Sequence, residues 1–306
     1  MTIAVFGSIN IDVTAYMERL PKPGETLQGR EYKLGLGGKG ANQAVAAAKL
    51  GSVVHFICRL GNDDFAKPAE RELASYGVDL ALVGHDQSGA TGIAIINVGE
   101  GGENYISLIG GSNLAMDESD VARGRAALAA ADVLLLQLEV PLAAGLGAAA
   151  IVRAHGGLVI LDPAPAPRDG LSSGVLKLID IITPNETEAG LMLGWQPQSL
   201  DEGLRAAKEL RGRGVATAIV KLGARGLAVA AEGVEAIIPA FKVTAIDTVA
   251  AGDSFNGGLA HALEQGQPLT QALRYAAACG ALSTTKKGAS AAAPTKAEVE
   301  AFLAKA

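Results

Sequence analysis

Short apolar segments rich in Val and Ile alternate with longer Ala- and Leu-rich segments along most of the chain. The short segments have the length of buried strands and the longer ones have the apolar spacing of helices, so the alternation predicts βαβ units around a parallel sheet. The predicted strands are 3–7, 53–58, 133–138, 158–161, 179–183 and 218–222, and the predicted helices are 41–50, 65–76, 119–130, 142–155, 204–213, 252–265, 269–283 and 296–303. We therefore expect an α/β fold with a mostly parallel central sheet.

Two stretches interrupt this alternation, at about 12–34 and 91–109. Each contains a turn-forming sequence (PKPGE or GEGGEN) between strand-like runs, which is typical of a hairpin. A small sheet formed by these stretches can cover the crevice at the carboxyl ends of the parallel strands, where open α/β folds bind ligands. Since no linker divides the chain, we predict a single domain, 1–306, with a small β-sheet lid.

Composition and charge limit the kinds of molecule that the protein is expected to bind. The formal net charge is -6, whereas a nucleic acid or an anionic membrane surface requires a basic face. We expect neither as a partner, so any phosphate must be held by local geometry. No run of about 18 apolar residues is present. Cys58 and Cys279 lack the spacing of a metal site, and we interpret them as reduced, buried thiols of a cytoplasmic protein.

The segment 247–256, DTVAAGDSFN, places small residues directly before an apolar helical pattern. It predicts a helix N-terminus at which the backbone N–H groups of Ala250, Ala251 and Gly252 are free to bind an anion. Asp253, in the first turn, can accept a proton from a nucleophilic hydroxyl. The alternative is that Asp253 only interacts favourably with the dipole of its own helix.

A glycine-rich segment at 35–43, GLGGKGANQ, leads directly into the first predicted helix. Gly35, Gly37 and Gly40 fit the G-x-G-x-x-G pattern of dinucleotide-binding folds and Asp63 follows them, so an NAD-dependent dehydrogenase is an alternative class. The preceding EYKLGL is polar and follows the first predicted hairpin, which weakens this interpretation. The segment is not a Walker A sequence, because no Ser or Thr follows its lysine.

Further polar residues stand where predicted strands end. Asn10 and Asp12 point to the same side if the chain is extended, although capping or turn formation also explains such residues. Glu139 closes the apolar run VLLLQLE, and a charge at such a position is often only solvated. Asn185 and Glu188 can cap the helix that follows them or approach the water-rich shell of Mg²⁺.

Taken together, these segments resemble the ribokinase family of carbohydrate kinases, the PfkB group. The run beginning at Asp247 is similar to the signature DTxGAGD, with Ala250 in place of its first glycine, and GGKGAN at 37–42 matches a second signature. The resemblance runs in order over essentially the whole chain. It implies a three-layer α/β sandwich with a β-sheet lid and transfer of the γ-phosphoryl group of ATP to a sugar. Asp253 is then the base, and the anion hole comprises Ala250, Ala251 and Gly252.

The same resemblance assigns the remaining binding residues. The sugar-binding positions of the family correspond to Asn10, Asp12, Gly38, Lys39, Asn42 and Glu139, together with Asp253. The family's N-x-x-E motif, which organises Mg²⁺ and the nucleotide phosphates, corresponds to Asn185 and Glu188. The run KLGARG at 221–226 is similar to the nucleotide loop and implies that Lys221, Gly223 and Gly226 lie close to ATP.

Ribokinases also bind a monovalent cation, K⁺, mostly through backbone carbonyls. The resemblance assigns this site to Asp247, Val249, Ser283, Lys286 and Gly288. Ala292 stands where ribokinases usually have a Ser. The cation site therefore lacks one ligand, receives one from Ser290, or binds more weakly.

Substrate and assembly are also expectations from the resemblance. The runs GSINxD, GGKGANQA, DPAPAP and TPNETEA favour D-ribose as the substrate. Ile109 stands where ribokinases commonly have an imidazole, so a same-fold kinase for another sugar or a nucleoside is the alternative. We expect a homodimer formed through the lid, because the open edge of the lid sheet is otherwise exposed.

Overall fold

The computed structural model describes residues 1–101 and 103–305 and contains a large sheet of nine strands. Gly102, inside the second predicted lid stretch, and Ala306 lie outside the described residues. The strand order is β13-β12-β11-β10-β9-β8-β1-β4-β5. These strands are β1 (Thr2–Phe6), β4 (Val53–Gly61), β5 (Val83–Asp86), β8 (Val133–Leu136), β9 (Leu158–Leu161), β10 (Ile181–Ile182), β11 (Thr217–Lys221), β12 (Gly226–Ala231) and β13 (Val234–Pro239).

The sheet is mostly parallel, as the sequence predicts. The strands from β5 across to β11 pair in parallel, and β12 and β13 add an antiparallel edge. All six predicted strands are present, although β10 is shorter than predicted. The hydrophobic pattern did not predict β5, β12 and β13. The sequence of β12, GLAVAA, is rich in Gly and Ala, which have low strand propensity, so its pairing is decided by its neighbours.

Helices cover both faces of this sheet. They are α1 (Lys39–Lys49), α2 (Ala66–Ser75), α3 (Glu118–Ala130), α4 (Leu142–Ala154), α5 (Ser173–Leu176), α6 (Glu186–Leu193), α7 (Leu200–Gly212), α8 (Ala251–Glu264), α9 (Leu269–Ser283) and α10 (Lys296–Leu303). Alternate residues of β1 enter different cores: Ile3 and Val5 pack with α1, α2 and α8 to α10, whereas Ala4 and Phe6 pack with α3 to α7. The result is the expected three-layer sandwich.

A second, smaller sheet has the order β3-β2-β6-β7. Its strands are β2 (Asn10–Met17), β3 (Glu31–Gly37), β6 (Gly92–Gly99) and β7 (Asn104–Ile109). β2 with β3 and β6 with β7 form the two predicted hairpins, and β2 pairs with β6 in parallel. This sheet begins at Asn10, shortly after β1 ends at Phe6. Its root therefore lies at the carboxyl end of a central strand of the large sheet.

Close packing of α1 on α8 brings distant segments together. A Cβ atom at Gly257 in α8 would lie only 2.6 Å from the Cβ of Ala46 in α1, so glycine is required there. At the start of α1, a Cβ at Gly40 would lie 2.6 Å from the backbone nitrogen of Ser8. These approaches place the first turns of both helices beside the end of β1. Within the described part of the chain, no helix has both the length and the apolar composition of a membrane span.

Candidate active site

Asp253 lies buried in the first turn of α8, and each of its carboxylate oxygens accepts a hydrogen bond from an amide of α1. Asn42 Nδ2 donates to Asp253 Oδ2 at 3.0 Å, and Gln43 Nε2 donates to Oδ1 at 3.0 Å. The two amides are adjacent in the first turn of α1. The carboxylate is therefore held in one orientation by two donors from the same helix.

Burial raises the pKa of Asp253 to about 6. The ammonium of Lys39 opposes this rise, the carboxylate of Asp162 adds to it, and the amides of Gln43 and Asn42 stabilise the ionised form. A group with this pKa is ionised at neutral pH but remains basic enough to accept a proton. The geometry and the pKa both fit a general base.

The N-terminus of α8 has little side-chain bulk, as predicted. Ala250 has a left-handed backbone with φ of 56°, and among the described residues it is the only non-glycine with positive φ. The amides of Ala250 and Gly252 contact no acceptor within the described chain, whereas the Ala251 N–H donates to the Thr248 carbonyl at 3.3 Å. The prediction that all three amides are free therefore needs correction: Ala251 is engaged through a long hydrogen bond in the turn.

The root of the small sheet presents Asn10 and Asp12. Asn10 is buried and its Oδ1 accepts a hydrogen bond from Asn113 Nδ2 at 2.8 Å. Asp12 packs against Gly37 on the neighbouring strand, where a Cβ would lie 2.0 Å from Asp12 Oδ1. Burial, with the nearby carboxylates of Glu139 and other acidic residues, raises the pKa of Asp12 to about 7. Asn10 and Asp12 share one face of β2, as the spacing predicts.

Gly38 and Lys39 connect the small sheet to α1. Gly38 has a φ of 87°, and a Cβ there would lie 2.9 Å from the Asn10 backbone nitrogen, so only glycine fits this turn. Glu139 Oε2 accepts the Lys39 N–H at 3.1 Å. Burial lowers the pKa of Lys39, but the carboxylates around it, including Asp253 and Glu139, raise it overall above its ordinary value. Lys39 is thus a cation enclosed by acids.

Glu139 is engaged with backbone and side-chain donors. Besides the Lys39 N–H, its Oε2 accepts the Ser8 hydroxyl at 2.6 Å. The Gly40 N–H donates to the same Ser8 oxygen at 3.3 Å. Glu139 therefore joins the end of β8 to the start of α1. Its second oxygen can still contact a ligand in the crevice.

On the nucleotide side, Asn185 and Glu188 form the capping box of α6. The Asn185 side chain accepts the Glu188 N–H, while the Glu188 carboxylate accepts the Asn185 N–H and its side-chain amide, each at 2.8 Å. Burial and the Asp162 carboxylate raise the pKa of Glu188, and the Lys221 ammonium opposes this rise. The carboxylate can still approach a Mg²⁺ ion through water, because Mg²⁺ retains several waters in proteins.

Lys221 and the two loop glycines have different surroundings. The Lys221 Nζ would lie 3.3 Å from a Cβ at Gly252, so its ammonium reaches the start of α8. Gly223 has a φ of 55° and no atom within 4 Å of its Cβ position, which leaves room for a nucleotide. A Cβ at Gly226 would lie 2.2 Å from the Ile238 carbonyl oxygen, so strand pairing alone explains that glycine. The Lys221 ammonium beside the N-terminus of α8, together with the open loop at Gly223, is suited to binding a polyphosphate.

The residues assigned to the cation site lie on the loop before α8 and on the segment from the last residue of α9 onward, and these two segments contact each other. Asp247 accepts the N–H groups of Val249 and Gly288, each at 3.0 Å. The Ser283 carbonyl accepts the Lys286 N–H at 3.2 Å. Segments 246–249 and 283–288 are thereby joined beside the N-terminus of α8. This arrangement fits a site made of backbone carbonyls.

Ser290 does not offer a free hydroxyl to this loop. It is buried, and its Oγ donates to Asn42 Oδ1 at 2.6 Å. The possibility that Ser290 replaces a missing cation ligand is therefore not supported by its geometry. Instead, the contact adds a second constraint on the amide that holds Asp253.

Several of the supporting residues lie within the sequence motifs, but the motifs assign them no role. Gln43 ends the run GLGGKGANQ, and Asp162 begins DPAPAP. Gln43 Nε2 contacts Asp162 Oδ2 at 3.1 Å as well as Asp253, and Gln43 Oε1 accepts Gln137 Nε2 at 2.8 Å. The sequence did signal that Gln43 is a polar residue inside a predicted helix and that Asp162 follows a predicted strand. It could not show that they contact each other, because their partners are distant in sequence.

The G-x-G-x-x-G interpretation is wrong. Gly35 and Gly37 lie in β3 of the small sheet, not in a tight turn after the first strand of the large sheet. Asp63 accepts the Ala66 N–H at 3.2 Å at the start of α2 and the Thr91 N–H at 2.7 Å, so its carboxylate is committed to structure. These positions do not form the βαβ unit that binds a dinucleotide.

Comparison with known proteins gives a consistent result. The sequence profile described as pfkB family carbohydrate kinase matches residues 2–296. A ribokinase of Haemophilus influenzae is 43% identical over 99% of this chain and 98% of its own, and a deoxyribokinase of Salmonella typhi is 37% identical over 99% of each. The structure of an Arabidopsis thaliana ribokinase complexed with ribose and ATP superposes with a TM-score of 0.87 at 31% identity, covering 99% of this chain and 98% of that one. None of these relatives supports a dehydrogenase.

Proposed function

Because the chain belongs to the pfkB family of carbohydrate kinases, we propose that it transfers the γ-phosphoryl group of ATP to D-ribose and forms ribose 5-phosphate. The observation that carries the proposal is the buried Asp253 carboxylate, which two amides orient at the open N-terminus of α8. The ribokinase relatives support ribose as the acceptor. The deoxyribokinase relative makes 2-deoxyribose the second candidate.

Asp253 acts as the base in this proposal. Phosphoryl transfer depends mainly on positioning and on electrostatic stabilisation of the transferring group. Asp253 accepts the proton of the attacking sugar hydroxyl, and the amides of Asn42 and Gln43 keep its oxygens in place while it does so. The amides of Ala250 and Gly252 and the dipole of α8 stabilise the negative charge that develops on the phosphoryl oxygens.

The sugar occupies the space between the small sheet and the large sheet. Asn10, Asp12 and Glu139 supply oxygens for its hydroxyl groups, and Gly38 allows close approach of the backbone. Lys39 balances the surrounding carboxylates, and Asn42 contacts both the sugar and the base. The tight packing at Gly37, Gly38 and Gly40 supports this assignment, because it brings these side chains within one small volume.

ATP lies on the side of Lys221 and Gly223, with its phosphates toward the N-terminus of α8. Glu188 and Asn185 would hold Mg²⁺ through water, and the ion would supply positive charge to the phosphate oxygens. Asp247 and Val249, with Ser283, Lys286 and Gly288, would hold K⁺, whose charge would order the loop before α8. Ordering of this loop aligns the backbone donors that follow it in α8.

We further propose a homodimer formed through the small sheet. The face of this sheet opposite Asp12 carries exposed apolar side chains, namely Tyr32, Leu34, Ile95, Tyr105 and Ile109. Leu34 and Ile95 flank Val13 in the strand register, so they form a continuous apolar row. Contiguous apolar patches of this kind mark association surfaces in soluble proteins.

The dimer is tested by sedimentation of Leu34→Glu. We expect the wild type to sediment as a dimer at micromolar concentration and the variant as a monomer, because a carboxylate in an apolar contact is not solvated. Leu178 is exposed to a similar extent, 43% against 49% for Leu34, but lies outside the small sheet. Leu178→Glu is therefore the control and stays dimeric. A monomeric wild type contradicts the assembly.

We also place the enzyme in the cytoplasm. Cys58 and Cys279 are both buried and unpaired, and burial raises the pKa of each thiol well above its usual range. Cysteines without a disulfide are typical of proteins in a reducing compartment.

The function is tested by measuring ADP release from ATP with a panel of pentoses, hexoses and nucleosides. We expect the highest kcat/KM with D-ribose and a lower value with 2-deoxyribose. A clear preference for 2-deoxyribose moves the assignment to the second candidate. Absence of ADP release with every sugar contradicts the proposed function.

A further inference from the structure

Asp162 is a buried carboxylate that the mechanism above does not use. It follows β9 at the carboxyl edge of the large sheet, and its backbone N–H donates to the Leu136 carbonyl at 2.9 Å. Its two oxygens have different partners. Oδ2 accepts Gln43 Nε2 at 3.1 Å, and Oδ1 accepts the Lys221 ammonium at 3.2 Å.

Gln43 connects Asp162 to the base. Its Nε2 donates both to Asp162 Oδ2 at 3.1 Å and to Asp253 Oδ1 at 3.0 Å. Its Oε1 accepts the Gln137 amide, which fixes the orientation of the Gln43 side chain. The amide therefore cannot turn away from one carboxylate without losing contacts with the other groups.

Lys221 connects Asp162 to the phosphoryl site. The Lys221 Nζ would lie 3.3 Å from a Cβ at Gly252, in the first turn of α8. The pair with Asp162 is mostly shielded, since the side chains are 16% and 3% exposed. An ion pair in such surroundings holds the lysine more firmly than an exposed pair does.

We propose that Asp162 is a positioning residue that couples the phosphate-binding Lys221 to the base Asp253 through Gln43. The inference rests on the proposed function of the same site. Before ATP binds, Asp162 holds the Lys221 ammonium beside the helix N-terminus and prevents it from turning toward Asp253. When the phosphates arrive, they share Lys221 with Asp162. The Gln43 amide keeps the Asp253 carboxylate aimed at the sugar hydroxyl throughout.

The charges around Asp253 determine how loss of the Asp162 charge alters the pH dependence of kcat/KM. Lys39 from α1 and Lys221 from β11 are the cations that face this region. The facing acids are Asp162, Asp12, Glu139 and Glu188, from four further segments. If the Asp162 charge is removed, both cations remain and one carboxylate is lost. The ionised form of Asp253 is then favoured, and its pKa falls.

The test is Asp162→Asn, which keeps size and shape but removes the charge. We expect kcat with ribose to fall about tenfold, because Gln43 and Lys221 lose an anchor. KM for ATP falls as well, because the phosphates no longer compete with a carboxylate for Lys221. The acidic limb of the kcat/KM profile moves to lower pH by about one unit. KM for ribose changes little.

Calorimetry with ADP gives a readout that is independent of turnover. Asp162→Asn is expected to bind ADP more tightly, by about threefold to tenfold. Asp180→Asn is the matched control. Asp180 also contacts β9, through the Val159 N–H at 2.8 Å, but does so at the opposite end of the strand. That variant is expected to keep the wild-type pH profile and nucleotide affinity.

Lys221→Met keeps the inference testable if Asp162→Asn fails to fold. Removing the cation leaves the Asp162 carboxylate without its counter-ion, and this negative charge raises the pKa of Asp253. The acidic limb of the kcat/KM profile is therefore expected to move to higher pH, opposite to the shift in Asp162→Asn. A folded Asp162→Asn with unchanged ADP affinity and pH profile overturns the inference, as does a downward shift in Lys221→Met. Failure of the proposed function is distinct, because the wild type itself then phosphorylates no sugar.

Discussion

Asp253 and Asp12 face the same crevice from two regions of the molecule, but the structure holds them in different ways. Asp253, at the start of a buried helix, accepts one amide hydrogen bond on each oxygen. Asp12, at the root of the small sheet, packs against Gly37, and no hydrogen-bond donor of the described chain contacts its carboxylate. Burial raises the pKa of both. The helix region is thus organised before the ligand binds, whereas the sheet region is completed by it.

This difference has a physical consequence. Asp12 is half-buried, so water hydrates its carboxylate only in part, and a ligand hydroxyl adds a hydrogen bond that the described chain does not supply. Asp12 can therefore contribute strongly to sugar binding. As the proposed base, Asp253 is already oriented and needs no reorganisation during the reaction, so we expect it to contribute to the chemical step. The variants below separate these two contributions, beginning with the largest effect.

The largest effect is expected for Asp253→Asn. The variant keeps the size of the side chain but removes the base, so kcat is expected to fall by about two to four orders of magnitude. Binding of ribose and ATP, measured by calorimetry, changes little. Asp201 also lies in the first turn of a helix but is exposed on α7, and Asp201→Asn is the control with wild-type kcat. Near-normal turnover of Asp253→Asn refutes the assignment of the base.

A smaller effect is expected for Asp12→Ala, and it falls on binding. Truncation leaves a sugar hydroxyl without its acceptor, so calorimetry is expected to show a loss of about 1 to 3 kcal/mol in ribose binding. ATP affinity stays the same, because Lys221 and Gly223 lie on the other side of the crevice. If ribose binding is unchanged and ATP binding is lost, Asp12 belongs to a different site.

The third prediction concerns stability without ligand. Because burial raises the pKa of Asp12 from 3.8 to about 7, the folded state binds this proton more tightly than the unfolded state does. The resulting stabilisation is fully present below the unfolded pKa and is lost as pH rises through about 7. Asp12→Asn removes the ionisable group. We therefore expect it to raise the unfolding temperature by several degrees at about pH 8 and by less at about pH 4.5.

Thermal unfolding of the two proteins at both pH values checks this prediction. The charge of Asp253 adds to the raised pKa of Asp12, so the difference between the two proteins includes the interaction of these two carboxylates. An equal difference in unfolding temperature at both pH values means that Asp12 does not titrate as described. Saturating ribose is expected to reduce the advantage of Asp12→Asn, because only the wild type gains the full contact with the sugar.

The smallest effect is expected at the loop that precedes α8. Ala292→Ser adds a hydroxyl at the position where ribokinases usually have a Ser, so K⁺ is expected to activate at a severalfold lower concentration. Ribose affinity stays constant, because neither carboxylate of the crevice is altered. In the wild type, K⁺ is expected to activate more than Na⁺. Identical titrations with K⁺, Na⁺ and a bulky organic cation at matched ionic strength exclude a specific cation site.

The predicted fold was confirmed for those elements whose sequence pattern is local, that is, contained within the element itself. The apolar runs of β1, β4, β8, β9 and β11 are buried strands, and the turn-rich stretches form the two hairpins of the small sheet. In the antiparallel edge, β12 was missed because its Gly- and Ala-rich sequence has no strong strand propensity of its own. Tertiary pairing with β11 determines its structure.

By itself, the sequence determined those structural elements that are stabilised by residues close to one another along the chain. Small residues before Asp253 produce an open helix N-terminus, and Asn185 with Glu188 produces a capping box. The glycine at 38 produces the turn before α1. In each case, backbone conformation and local hydrogen bonds suffice, so the motif can be interpreted without the fold.

Only the tertiary structure decided which polar side chains hold these elements in a working arrangement. Gln43 meets Asp162 and Asp253 across 119 and 210 positions, and Ser290 meets Asn42 across 248 positions. The Asp162 contact with Lys221 spans 59 positions. No spacing in the sequence encodes these pairs, because they exist only when α1 packs on α8 and the strand ends meet at one edge of the sheet.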